Sequence, residues 1–137
     1  MTTDLKCEDR IDSELESTID TIRQLWEAEC NGKEDGVEDL GTLNDYGLCF
    51  DYVGPDTFGD QPEGYFRWQL SWGGPSDEFR FFINPDMSCH RIAYHFMDWF
   101  DGAKRILTGP DYELIHEIWQ DWFSACDLAG MVERDIE

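Results

Sequence analysis

The chain has 137 residues, of which 31 are Asp or Glu and 10 are Lys or Arg, so its formal net charge is −21. A charge of this size repels nucleic acid and anionic membranes and attracts basic proteins, which excludes direct binding to nucleic acid or to a membrane. Six Trp, nine Phe and five Tyr residues are too many for a disordered acidic tail, and they predict a single folded domain over residues 1–137.

The cysteines and the N-terminal sequence predict a cytoplasmic protein. The five cysteines are odd in number and contain no C-x-x-C pair, which is typical of free thiols in a reducing compartment. The first ten residues, MTTDLKCEDR, lack the basic start and apolar run of a signal peptide. No apolar run approaches the roughly 18 residues that a membrane span needs.

The first predicted element is an amphipathic helix. Residues 1–11 look like a frayed polar lead-in, and Ser13 with Glu16 forms a capping box that opens the helix. The helix is predicted to end near Asn31. Its apolar stripe consists of Leu15, Ile19, Ile22 and Trp26. A second face carries an acidic row with one base in it, made of Glu16, Asp20, Arg23 and Glu27.

A glycine-punctuated loop, NGKEDGVEDLGT over residues 31–42, follows this helix. It holds four acids, Glu34, Asp35, Glu38 and Asp39. Two interpretations stay open for it. Either the loop is a flexible solvated connection, or it extends an acidic binding surface.

The middle of the chain changes from helical periodicity to alternation. In YFRWQLSW (65–72) the residues Phe66, Trp68, Leu70 and Trp72 alternate with polar neighbours, so they are predicted to face the core. Further strands are predicted at 48–53, 78–84 and 89–96, with Gly, Pro and Asn turns between them. This pattern indicates an antiparallel meander of about four strands. Residues 98–109 are ambiguous and are interpreted as a helical turn and a loop.

A second long helix is predicted from Pro110 to about Gly130, with residues 131–137 frayed. Ile115, Trp119 and Trp122 form its apolar stripe. Glu113, Glu117 and Asp121 are spaced four residues apart with no Lys or Arg among them. Like charges at this spacing destabilise an isolated helix by roughly 0.2–0.5 kcal/mol per pair. The predicted fold class is α+β, an antiparallel sheet flanked by an N-terminal and a C-terminal helix.

The residues that commonly perform catalysis form no recognisable motif here. His90 and His95 are five residues apart on a predicted strand and therefore point to opposite faces, as do the adjacent Cys89 and His90. No P-loop, dinucleotide fingerprint, nucleophile elbow or zinc-protease motif occurs. We therefore expect no catalytic residue, no metal and no cofactor. A metal-dependent or hydrolytic enzyme stays open as the alternative from another functional class.

The two acidic rows suggest a partner. Carboxylates four residues apart on a helix recur about every 6 Å, while duplex DNA presents a phosphate on each strand about every 3.4 Å. Two acidic helices and an acidic loop therefore approximate the charge density of a short duplex. A cleft lined with Lys and Arg for binding DNA would accept such a surface.

In size, charge and acidic spacing the whole chain resembles the DNA-mimic inhibitors of mobile elements, of the anti-CRISPR and anti-restriction type. This resemblance rests on no motif. It implies a protein that inhibits a bacterial defence machine, either a CRISPR effector or a restriction enzyme subunit, by occupying its DNA-binding cleft. The predicted contact residues are Glu16, Asp20, Glu27, Glu34, Asp35, Glu38, Asp39, Glu113, Glu117 and Asp121.

Two other interpretations of the acidic residues remain. An immunity protein or antitoxin that caps the basic active site of a nuclease toxin would carry its acids in one patch with aromatic anchors. A salt-adapted domain would carry acids over every face. For the mimic, we expect that Glu117→Lys combined with Asp121→Lys weakens partner binding and leaves the fold intact or slightly more stable.

Overall fold

The computed structural model describes residues 6–33, 36–37, 41–43, 45–47, 49–55, 63–71, 75–98, 101–125 and 128–136. The fold is α+β, as predicted, with five antiparallel strands in sequential order. The strands are β1 (Cys49–Val53), β2 (Tyr65–Ser71), β3 (Ser76–Ile83), β4 (Cys89–Asp98) and β5 (Asp101–Ile106). The helices are α1 (Cys7–Cys30), α2 (Gly109–Asp121), a short 3₁₀ helix (Phe123–Ala125) and α3 (Leu128–Ile136).

Strands β1 to β4 confirm the predicted meander. The β2–β3 register pairs Phe66 with Phe81 and Trp68 with Phe79, so that aromatic side chains of neighbouring strands lie on one face. The register shifts between Gln69 and Ser71, at the end of β2. Of the four residues predicted to face the core, Phe66 and Trp68 are buried and Leu70 is half-buried. Trp72 lies outside the described residues.

Strand β5 corrects the prediction of a helical turn and a loop over residues 98–109. It pairs with β4 from Asp98 opposite Asp101 to Ala93 opposite Ile106. Its own sequence, DGAKRI, has little apolar alternation, and most of its residues are exposed. The segment is a strand because the long β4 offers it a row of unpaired backbone groups.

The start of α1 also differs from the prediction. The helix begins at Cys7 instead of Ser13, so residues 7–11 are helical and are not a frayed lead-in. The backbone N–H of Cys7 donates to Asp101 Oδ2 at 2.6 Å, and the side chains of Cys7 and Ile11 are buried. A carboxylate from β5 thus caps the helix, which lets the apolar stripe extend one turn further than the Ser13 capping box suggested.

The second predicted helix is broken into three parts. Helix α2 ends at Asp121, the 3₁₀ helix follows, and α3 covers residues 128–136, which include residues predicted to be frayed. The break turns Phe123 into the core, where its ring stacks on Phe50 with centroids 4.3 Å apart and meets Trp68 at 5.1 Å.

Helices α1 and α2 lie on one face of the sheet and bury it. Trp119 stacks on Phe81 at 4.8 Å between ring centroids, and the Arg10 guanidinium lies 4.9 Å from the ring centre of Phe96. The predicted stripe of α1 is confirmed, because all four of its residues are buried. Strand alternation places Arg67 and Arg80 on the opposite face of the sheet.

Candidate partner-binding surface

The acidic row of α1 faces solvent. Glu16, Asp20 and Glu27 are exposed, and Asp20 accepts a hydrogen bond from the Gln24 side chain at 3.2 Å. Arg23 is half-buried within the same row. The row follows from helical periodicity, since these positions lie about 100° around the helix axis from the buried stripe.

The acidic row of α2 is exposed as well. Glu113, Glu117 and Asp121 all have exposed side chains, while Ile115 and Trp119 between them are buried. The helix has no basic residue in its last turn. A carboxylate at the C-terminal end of a helix is unfavourable, because the helix dipole places negative partial charge there.

The tertiary structure brings the two rows together. The indole N–H of Trp26 donates to Glu117 Oε2 at 2.6 Å, which joins the middle of α2 to the end of α1. Asp111, at the start of α2, lines a groove of about 690 Å³ together with Glu16, Asp20 and Arg23. The start of α2 thus lies near the first half of α1, and Glu117, further along α2, lies near the end of α1. The two helices therefore run side by side in the same direction.

The thiol of Cys30, at the C-terminus of α1, lies near two acids of α2. Burial raises its pKa, and the negative charges of Glu117, Asp121 and Glu29 raise it further. Glu117 and Asp121 therefore lie close to the C-terminus of α1. We call the acidic surface the set of seven carboxylates that the two helices present together: Glu16, Asp20, Glu27, Asp111, Glu113, Glu117 and Asp121.

The size of the acidic surface can be compared with duplex DNA. Glu16 and Glu27 are eleven residues apart on α1, which corresponds to about 16 Å. Both strands of a duplex carry about ten phosphate charges over that length. The acidic surface carries seven carboxylates and one Arg. Its charge density is therefore a little over half that of DNA.

Five arginines of the described residues are paired away from the acidic surface. Their six ion pairs join Arg10 to Asp98, Arg67 to Asp51, Arg80 to Glu78, Arg91 to Glu63, and Arg105 to both Glu8 and Asp12. Within the described part of the chain, none of these pairs involves a residue of the acidic surface. Among the described residues, Arg23 is the cation that lines the groove together with part of the acidic surface.

Of the ten predicted contact residues, the structure describes six, and all six have exposed side chains on α1 or α2. The loop acids Glu34, Asp35, Glu38 and Asp39 lie outside the described residues. Sequence reasoning missed Asp111, although its position in the first turn of α2 was a usable signal. It also interpreted Trp26 only as a core residue. The bond from its indole N–H to Glu117 has no signal in the local sequence.

Two of the residues considered for catalysis, Cys89 and His95, have pKa values shifted mainly by burial. Burial raises the pKa of the Cys89 thiol to about 11, and His116 Nε2 lies 3.1 Å from the Cys89 carbonyl oxygen. Burial and the nearby cations Arg80 and Lys104 lower the pKa of His95 to about 3. His90 is exposed. Among the described residues, no group of three His, Cys, Asp or Glu side chains is placed to hold a metal.

Two buried carboxylates have partners of their own. Asp77 accepts hydrogen bonds from Tyr94 Oη at 2.6 Å and from Ser71 Oγ at 2.5 Å, and Glu78 pairs with Arg80 at 2.7 Å. Both oxygens of Asp77 are occupied. Asp77 thus joins β3 to both β2 and β4, whereas Glu78 and Arg80 lie on the same strand.

Comparisons with known proteins give no relative. No family model matches the chain, and no curated protein and no solved structure is significantly similar to it. None of the helices in the described residues is long and apolar enough to cross a membrane.

Proposed function

We propose that this protein is a DNA mimic that inhibits a bacterial defence machine, a CRISPR effector or a restriction enzyme, by occupying its DNA-binding cleft. One observation carries this proposal. All six described residues that were predicted as contacts are exposed, belong to the adjacent helices α1 and α2, and form no ion pair within the described part of the chain.

The affinity of such a surface arises from counterion release. Carboxylates held close together condense cations from solution, and a basic cleft displaces those cations on binding. The same field steers the basic partner toward the helices and raises the association rate at low salt. Inhibition then requires no chemistry, because DNA and the inhibitor compete for one cleft.

The distribution of charge favours a binding surface over general salt adaptation. Arg67, Arg80 and Arg91 lie on the sheet face away from the helices, and each is paired with a carboxylate. Among the described residues that face is therefore close to neutral, whereas α1 and α2 carry twelve acids and two arginines between them. A salt-adapted shell would be acidic on both sides.

One observation favours the immunity-protein alternative. The acidic row of α1 extends only about 16 Å, and the half-buried Trp122 follows Asp121 at the end of α2. A compact patch with aromatic anchors suits the active site of a nuclease toxin. Both proposals place the same carboxylates in a basic, nucleic-acid-binding cleft.

The test uses two matched charge variants of α1. Glu16→Lys with Glu27→Lys alters the acidic surface. Glu14→Lys with Glu29→Lys changes the net charge equally, but about 160° around the same helix. Partners are captured from a bacterial lysate at low salt and eluted with competing duplex DNA. We expect DNA to displace a nuclease or CRISPR effector, and only the first variant to lose it.

The outcomes separate the candidates. A partner displaced by a duplex of about 20 base pairs, with inhibition of its DNA binding, supports the mimic. A small nuclease that is inhibited at its active site, and that duplex DNA does not displace, supports the immunity protein. Equal loss of binding in both variants, or a partner indifferent to DNA, contradicts a role for the acidic surface as a nucleic-acid mimic.

A further inference from the structure

Strand β5 forms one edge of the sheet, and among the described residues no strand pairs with its outer side. The backbone N–H of Leu107 donates to the Ile92 carbonyl oxygen at 2.9 Å, so these two residues continue the β4–β5 ladder as a hydrogen-bonded pair. Hydrogen-bonded and non-hydrogen-bonded pairs alternate along an antiparallel ladder. The backbone N–H and C=O groups of Gly102, Lys104 and Ile106 therefore point away from β4.

Solvent reaches these outward residues. Gly102, Lys104 and Ile106 are all exposed, and because Gly102 has no side chain, its exposed surface is backbone. The Lys104 carbonyl oxygen accepts a hydrogen bond from Arg105 Nη1 at 2.9 Å, and its second lone pair can accept another. Ile106 is 49% exposed, and it is the only exposed large apolar side chain in the described part of the chain. Such an edge is a template for a further strand.

The sequence of β5 is complementary to itself in an antiparallel pair. A twofold axis at Ala103 places Asp101 opposite Arg105 of a second copy. It also places Gly102 opposite Lys104 of that copy. An axis at Lys104 or at Arg105 would instead place that cation opposite its own equivalent, and like charges directly opposite one another are destabilising. The register centred on Ala103 therefore pairs opposite charges and has a small side chain at the axis.

We infer that two copies of this chain pair through β5 in this register and form one continuous sheet. The N–H and C=O groups of Gly102 in each copy bond to those of Lys104 in the other. A lysine on an edge strand ordinarily opposes pairing, but here it lies opposite a residue without a side chain. The helices of both copies lie on the same side of the joined sheet. The inference goes beyond the proposed function and does not depend on it.

The pairing depends on salt in the opposite sense to the proposed partner contact. Each chain carries a net charge of −21, and Glu8 and Asp12 of α1 lie beside the edge, where they contact Arg105. Two copies therefore repel one another at low salt. The screening length falls from about 30 Å at 0.01 M salt to about 3 Å at 1 M. Salt thus favours the dimer, whereas it weakens a contact that is driven by counterion release.

Sedimentation equilibrium at high and at low salt tests the pairing. We expect twice the 16.0 kDa mass of one chain at high salt, and a shift toward the mass of one chain as the salt is lowered. Lys104→Pro removes an N–H that makes no bond to β4, so the fold is retained. It should raise the dissociation constant of the dimer about tenfold or more, because both copies lose a hydrogen bond. Lys104→Thr is the matched control, since it changes the charge equally and keeps the N–H.

Amide hydrogen exchange locates the contact in the wild-type protein without any substitution. The amides of Gly102 and Lys104 should exchange fast in the monomer and slowly in the dimer, whereas those of Ala103 and Arg105 are bonded to β4 in both states. The mass of one chain at every salt concentration overturns the inference. A dimer whose Gly102 and Lys104 amides stay unprotected, or which Lys104→Pro leaves intact, overturns it as well. Equal weakening by Lys104→Pro and Lys104→Thr contradicts pairing through the backbone.

Discussion

Trp26 and Glu117 join the two acidic helices through a hydrogen bond of 2.6 Å from Nε1 to Oε2. The bond crosses 91 positions of sequence and gives one carboxylate of the acidic surface a structural role. The substitution Glu117→Lys therefore removes a hydrogen bond between the helices as well as a negative charge. A change at Glu117 affects both partner binding and the stability of the fold. The effect of charge on binding is therefore better measured at acidic positions without such a bond.

The role of Glu117 in folding is tested by substitutions that differ in hydrogen bonding. In Glu117→Gln the amide oxygen still accepts the Trp26 N–H, and we expect the free energy of unfolding to fall by less than about 1 kcal/mol. Glu117→Leu leaves a mostly buried N–H without a partner, and we expect a loss of about 1–3 kcal/mol. Urea unfolding measures both values. Equal effects of the two substitutions would show that the hydrogen bond contributes little.

We expect Asp121 to lower the stability of the fold. Asp121→Lys removes a like-charge neighbour of Glu117 and places a cation at the C-terminal end of α2, so we expect a gain of roughly 0.5–1.5 kcal/mol. The same change should weaken partner binding. Gln120→Lys is the comparison variant, because it also adds a cation to the last turn but leaves Asp121 in place, and it changes the net charge by one unit instead of two. If Asp121→Lys binds the partner as well as the control does, Asp121 is outside the contact.

The pH dependence of stability should contain a contribution from His95. Its pKa is lowered to about 3 in the folded protein by burial and by Arg80 and Lys104, against an ordinary value of about 6.5. Between these values the unfolded chain binds the extra proton, so stability falls as the pH falls below about 6.5. From pH 7 to pH 5 we expect the wild type to lose on the order of 1–2 kcal/mol more than His95→Gln. Parallel pH profiles, measured by urea unfolding, would contradict this.

The thiol of Cys30 should report the charge of the acidic surface. Its pKa is raised by burial and by Glu117 and Asp121, so Asp121→Asn should lower that pKa and speed alkylation at pH 8. Cys49 is also exposed but has Asp51 as its acidic neighbour, so its rate should not change. Mass-spectrometric peptide mapping measures both rates in one sample. A change at both cysteines would indicate a general loosening of the fold.

The elements that could be predicted from sequence are those whose signal is local. The stripe of α1 from Leu15 to Trp26 and strands β1 to β4 follow from side-chain periodicity and turn residues, which depend on neighbours a few positions away. The spacing of the acids along each helix is determined in the same way. The exposure of Glu16 and Glu113 follows from the stripe on the opposite side of each helix.

The tertiary structure decided what depends on distant partners. Strand β5 exists because β4 offers backbone groups to a segment with little strand character of its own. Helix α1 begins at Cys7 because Asp101, 94 positions away, accepts its N–H. The two acidic rows form one surface because Trp26 holds Glu117. Such contacts join residues that are far apart in the sequence, so no local pattern predicts them. They form only when the chain has folded around its aromatic core.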